Sequence, residues 1–198
     1  MEQERLLEGR REICRICAML SEKNLVSGKD GNISVRAGED EMLITPSGVC
    51  KAFLSPEMIL LQGFDGRVLE GSLRSTKEAG LHASIYERRP GVNAIVHTHP
   101  AAATAFAVCG RALPGDCLVE VPSLIGRMGV AGYAPAGSAE LIAEVEKCGE
   151  CNVILLQNHG VICCGESLVD AFALMDAVEN AARTILYAQM LGDVKRFV

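Results

Sequence analysis

The 198-residue sequence has no excess of positive charge: 19 Lys and Arg stand against 25 Asp and Glu, for a net charge of −6 and a pI near 5.3. Nucleic-acid-binding domains usually carry a basic face, so no nucleic-acid partner is expected. The apolar runs are too short to span a bilayer, and no N-terminal apolar segment resembles a secretory signal. A cytoplasmic protein without a membrane partner is the expectation. No Pro-, Ser- or charge-rich linker interrupts the chain, which predicts one domain over residues 1–198. Internal repeats and low-complexity stretches are absent. No Gly-x-Gly-x-x-Gly follows a strand, so nothing supports dinucleotide binding.

Apolar residues make up 49% of the chain, enough for a sizeable core. Nine cysteines are present. In a reducing compartment they read as small buried hydrophobes rather than disulfides. Cys14-x-x-Cys17 and Cys148-x-x-Cys151 have half-zinc-site spacing and could in principle combine into a four-thiolate site. The surroundings of a zinc knuckle are missing, so free thiols are the preferred reading.

Apolar spacing predicts a helix over Glu4–Leu20. A Gly-rich turn from Gly28 then feeds a strand at Ile33–Arg36, and Met42–Thr45 forms a second strand. Ile59–Gln62 and Val68–Glu70 flank the turn Phe64-Asp-Gly-Arg as a hairpin. Helices at Thr76–Arg88, Ala101–Val108, Ser138–Lys147 and Leu168–Leu191 then alternate with strands at Val92–His97 and Val153–Leu156. Arg88-Arg89 reads as a helix end. The mixture predicts an α/β fold with a largely antiparallel sheet covered by helices.

Four histidines are present. His97 and His99 are two apart at a strand end, so their side chains share a face and can aim at one ion. His159 follows the apolar strand 153–156 within Asn158-His-Gly, another strand-end position. His82 lies inside an amphipathic helix and reads as a packed, hydrogen-bonded residue. Glu78 has two readings. Ser75-Thr-Lys-Glu matches a capping box, whereas a functional Glu78 would be a fourth ligand or a proton-transferring base.

Gly31-Asn-Ile-Ser, Thr45-Pro-Ser-Gly, Ser75-Thr-Lys-Glu, Leu81-His, Arg89-Pro, Val96-His-Thr-His and Asn158-His-Gly together resemble the class II aldolase/adducin head family, and its fuculose-phosphate aldolases most. The motifs run in the family's order from about Gly28 to Gly165. A glutamate 19 residues before His97 and a histidine 60 after His99 have that group's spacing. The resemblance implies a three-layer α/β/α fold and a fourfold-symmetric homotetramer with active sites between subunits. It implies zinc, or another divalent metal, on His97, His99 and His159, with Glu78 as the acid/base residue. It also implies a pocket for a sugar-phosphate substrate at Gly31, Asn32, Ser47, Gly48, Thr76 and Lys77. Gly-rich turns and a helix start at Thr76 are consistent with anion binding, although these are also ordinary turn residues.

The implied reaction is reversible cleavage of a ketose 1-phosphate. Where the resemblance implies a tyrosine proton donor, an ungapped count from Tyr133 places Leu118. Tyr133 and Tyr187 are the remaining hydroxyl candidates, otherwise read as a packed aromatic and a helix-packing residue. The sequence ends at Val198, soon after the last helix, so no tail bearing a further catalytic aromatic is expected. The same family also contains pentulose-phosphate epimerases, methylthioribulose-phosphate dehydratases and non-catalytic adducin-like oligomerisation modules.

Overall fold

A computed structural model describes residues 2–197. Its centre is one eight-stranded sheet in the order β4-β3-β2-β1-β5-β8-β7-β6. The strands are β1 (Asn32–Arg36), β2 (Glu41–Ile44), β3 (Leu60–Gly63), β4 (Val68–Glu70), β5 (Ala94–Thr98), β6 (Met128–Ala131), β7 (Val153–Leu156) and β8 (Gly160–Gly165). All neighbours pair antiparallel except β6 with β7.

The helices are α1 (Glu2–Glu22), α2 (Ala79–Arg88), α3 (Ala101–Val108), α4 (Ala139–Glu146) and α5 (Leu168–Leu191). Alternation along the strands gives the sheet two apolar faces. Ala94 and Val96 of β5, with Val161 and Cys163 of β8, pack on one side against α1, α3 and α5. Ile95, Ile162 and Cys164 face the other side, under α2 and α4. The expected three layers and mainly antiparallel sheet are therefore present.

The Phe64–Arg67 turn closes the hairpin, with Gly66 at φ +90. Two strands escaped the sequence reading. β8 is Gly-Val-Ile-Cys-Cys-Gly and buried on both faces over most of its length, so it carries no polar alternation. β6 has only four residues and follows an irregular stretch that includes a π-helical turn, Val121–Ile125.

α2 begins at Ala79, three residues later than its sequence pattern suggests. The capping-box reading of Glu78 fails for a tertiary reason. Ser75 Oγ donates to Gln62 Oε1 of β3, and Glu78 N–H donates to Thr76 Oγ1. The Glu78 side chain, freed from capping, turns inward.

All nine cysteines are free. Cys14 and Cys17 sit on the α1 side of the sheet, whereas Cys148 and Cys151 lie in the opposite core. The two pairs do not assemble, which excludes a shared four-thiolate site.

Candidate metal centre

The ends of β5, β7 and β8 bring three histidines together. His97 is the fourth residue of β5 and points to the α2 side, next in register to Asn32 of β1. His99 lies one residue beyond β5. Pro100 follows it and precedes α3, whose Ala102 and Ala103 N–H groups donate to the buried Glu179 carboxylate of α5. His159 occupies the β7–β8 turn. Asn158 adopts φ +58 there, and His159 N–H donates to Leu156 O.

The three rings form a nearly equilateral triangle, with centroids 5.0, 4.9 and 5.0 Å apart. One nitrogen from each lies within 4.8 Å of the others. Gly160 makes room for this arrangement: a Cβ there would lie 2.6 Å from Thr98 O and press on the His99 ring. Gly31, at φ +72, is equally constrained, because its Cβ would lie 2.5 Å from His97 O.

His97 Nδ1–H donates to Val161 O at 2.9 Å, which leaves Nε2 facing the centre. His99 Nε2 approaches it to 3.3 Å. Two unprotonated nitrogens cannot face each other at that distance without a cation between or beside them, either a proton or a metal. Two ligands on a tetrahedral zinc at about 2.0–2.1 Å stand roughly 3.3–3.4 Å apart, and the observed spacing fits.

Glu78 completes the cluster. Its Oε2 is 3.3 Å from His97 Nε2 and accepts from Asn32 Nδ2 at 2.8 Å. Its Oε1 is buried, has no hydrogen-bond partner among the described residues and lies 3.6 Å from His159 Nε2. That orphaned oxygen is what a site built for a cation or a reacting proton would contain.

Electrostatics sort the four groups. Burial works against ionisation of Glu78, but His97, the Asn32 amide and His159 together outweigh it and hold the carboxyl below the usual range. Burial depresses His97 as well, but Glu78 and Val161 O reverse the effect and raise it. Burial and the neighbouring rings push His99 down to about 4 and also lower His159. His99 and His159, both held towards the neutral form, beside an ionised carboxylate suit a divalent cation, which would take the place of the proton that His97 favours.

His82 is a packed residue, as its sequence position suggests: fully buried, with Nδ1 2.6 Å from Ser34 Oγ. Ser34 Oγ also lies 2.8 Å from the buried Tyr86 hydroxyl. Asn32 is the partner that sequence reasoning did not foresee for Glu78. A side-chain contact across 46 positions leaves no local signal.

The six candidate phosphate residues come from three adjoining segments. Ile33 and Thr45 are joined by two hydrogen bonds, and a Pro46–Ser75 bridge with Ser47 N–H to Arg74 O joins the second segment to the third. Asn32 spends its amide donor on Glu78, whereas Gly48 and Lys77 are exposed. Thr76 and Lys77 precede α2 rather than starting it.

Leu118 is half-buried against the α1-side core. Tyr133 and Tyr187 are neither packed nor buried, at 65% and 59% exposure.

Together the sheet order, helix layers and histidine cluster define a three-layer α/β/α protein with a candidate metal centre at its strand ends. The sequence matches the Class II Aldolase and Adducin N-terminal domain over residues 11–186, and the chain belongs to that family. It is 34% identical to L-fuculose phosphate aldolase of Methanocaldococcus jannaschii over 178 residues, covering 89% of this chain and 95% of that one. It is 30% identical to 3-oxo-tetronate 4-phosphate decarboxylase of Escherichia coli over 190 residues, covering 93% and 87%. The fold superposes on a solved L-fuculose 1-phosphate aldolase with a TM-score of 0.89 at 27% identity, covering 96% of this chain and 91% of that structure.

Proposed function

We propose that this chain is a zinc-dependent lyase that reversibly cleaves a ketose 1-phosphate to dihydroxyacetone phosphate and an aldehyde. The observation that carries this reading is the convergence of His97, His99 and His159 beside an ionised Glu78. The L-fuculose phosphate aldolases among its relatives support it.

His97, His99 and His159 would hold the ion, and three neutral ligands leave coordination positions open. When bound, a divalent ion supplies Lewis-acid stabilisation of the negative charge that develops as the carbon–carbon bond breaks. Glu78 exchanges a proton with the carbon left holding the electron pair. As a carboxylate it is ready to remove that proton in the condensation direction. Asn32 holds Oε2 and leaves Oε1 for this exchange. Gly31, Asn32, Ser47, Gly48, Thr76 and Lys77 line the phosphate subsite in this reading. The working unit is a cytoplasmic homotetramer of single-domain subunits, in which a neighbour's exposed tyrosine supplies the hydroxyl that Leu118 does not.

A second reading is decarboxylation of a 3-oxo-acid phosphate. The decarboxylase relative favours it, as does Leu118 itself, because carbon dioxide departs without a proton donor. Both reactions leave the same kind of carbanionic fragment for Glu78 to protonate. The deciding assay incubates zinc-loaded protein with ketose 1-phosphates and, separately, with 3-oxo-tetronate 4-phosphate. Dihydroxyacetone phosphate from the first supports the aldolase. Carbon dioxide from the second, with no dihydroxyacetone phosphate from the first, replaces that reading with the decarboxylase.

A further inference from the structure

Lys51 is only 2% exposed, and among the described residues it forms no ion pair. Burying an ammonium without a carboxylate partner is costly, and a methionine or leucine would fill the same space more cheaply. Its hydrogen bonds show where the charge is directed. Lys51 N–H donates to Gly28 O at 3.0 Å, and Nζ donates to Lys29 O at 3.0 Å and Val49 O at 3.3 Å. One residue thus gathers three carbonyls from two glycine turns, 28–31 and 46–49.

Those turns contain Gly28 at φ +53, Gly31 at φ +72 and Gly48 at φ +77. Left-handed residues in such turns expose successive N–H groups as an anion-binding concavity. The C=O and N–H of one trans peptide point opposite ways. Carbonyls drawn onto Lys51 therefore leave the Lys29 and Cys50 N–H groups facing away from it. None of the N–H groups of Lys29, Gly31, Gly48 and Cys50 has a hydrogen-bond partner among the described residues.

We infer that Lys51 is a positioning residue for substrate phosphate: it clamps the two glycine turns into one cradle and places a buried positive charge behind it. The inference rests on the sugar-phosphate reading above and adds to it the residue that preorganises the anion subsite. Burial lowers the Lys51 ammonium from its ordinary range, and Cys17, Asp30 and Cys50 oppose that effect, Asp30 from the same turn. Lys51 is the one buried Lys or Arg among the described residues, so a phosphate in the cradle would meet it as the buried cation beneath.

The test is binding of inorganic phosphate to the zinc-loaded full chain, measured by titration calorimetry and independent of any reaction. Lys51→Met should weaken binding roughly tenfold, with zinc content unchanged, and Lys51→Arg should recover most of the loss. A merely structural Lys51 predicts a lower melting temperature with wild-type phosphate affinity in the folded protein, and that result overturns the inference alone. If the wild type itself binds no phosphate, the phosphate subsite and the role of Lys51 fall together. Should Lys51→Met not fold, amide exchange on the wild type decides. Phosphate must slow exchange at Lys51 and residues 28–31 together, and no protection there refutes the clamp.

Discussion

Gly160→Ala isolates the steric requirement of the histidine cluster proposed to hold the metal. The new methyl would lie 2.6 Å from Thr98 O and 3.2 Å from His99 Cγ, and nearer still to Cδ2 of that ring. Ordinary carbon contacts are about 3.5–4.0 Å, so one side must retreat by about 1 Å. Thr98 is held in the β5–β8 ladder opposite Val161 and cannot yield easily. The His99 ring, only partly buried, moves instead. Overpacking of this kind costs about 1–3 kcal/mol of stability. Metal affinity should fall by at least the roughly 10–100-fold seen when a ligand's support is removed, because 1 Å is half of a zinc–nitrogen bond of about 2.0–2.1 Å. Competition against a fluorescent zinc chelator measures this directly. Gly48→Ala is the control, since its Cβ meets nothing within 4 Å and only its φ of +77 is strained; that change should cost about 1 kcal/mol without altering metal affinity. Wild-type zinc affinity in Gly160→Ala would refute the placement of His99 as a ligand.

Glu78→Gln should retain zinc and lose at least about 100-fold in turnover, as measured by steady-state assay; turnover near wild type would remove Glu78 from the chemistry. Glu179→Gln should lower stability by about 1–3 kcal/mol in urea unfolding, because the buried carboxylate accepts from Ala102, Ala103 and Arg183. The metal-free protein should weaken as pH falls below about 6.5. Burial and the charge of His97 push His82 down to about 3, so between those values the unfolded chain binds a proton that the folded chain refuses. His99 and His159 act in the same direction and His97 in the opposite one. His82→Asn should make the stability–pH slope shallower between about pH 6.5 and 4.5, and an unchanged slope would exclude His82 as its source.

Much of this architecture was legible because local pattern and tertiary environment agree. The 168–191 helix and the 153–156 strand have their predicted limits because their apolar spacing matches the faces they bury. His97 and His99 were readable from strand alternation, although His99 falls just beyond the strand itself. The segment before α2 was not legible, because Ser75 and Thr76 bond to Gln62 and to Glu78 N–H instead of capping a helix. The Asn32–Glu78 contact and the Lys51 clamp join residues that only the folded sheet brings together. Exposed Tyr133 and Tyr187 show the reverse limit: a sequence does not say whether an aromatic is packed within the fold or left facing outward.

One divalent ion held by His97, His99 and His159 is the basis of the proposed chemistry. Metal titration of purified wild type and His159→Ala, followed by mass spectrometry of the folded proteins, tests it most directly. One tightly held zinc per wild-type chain is expected, and none retained by His159→Ala at the same zinc concentration. Equal zinc in both proteins, or no zinc in either, would contradict it.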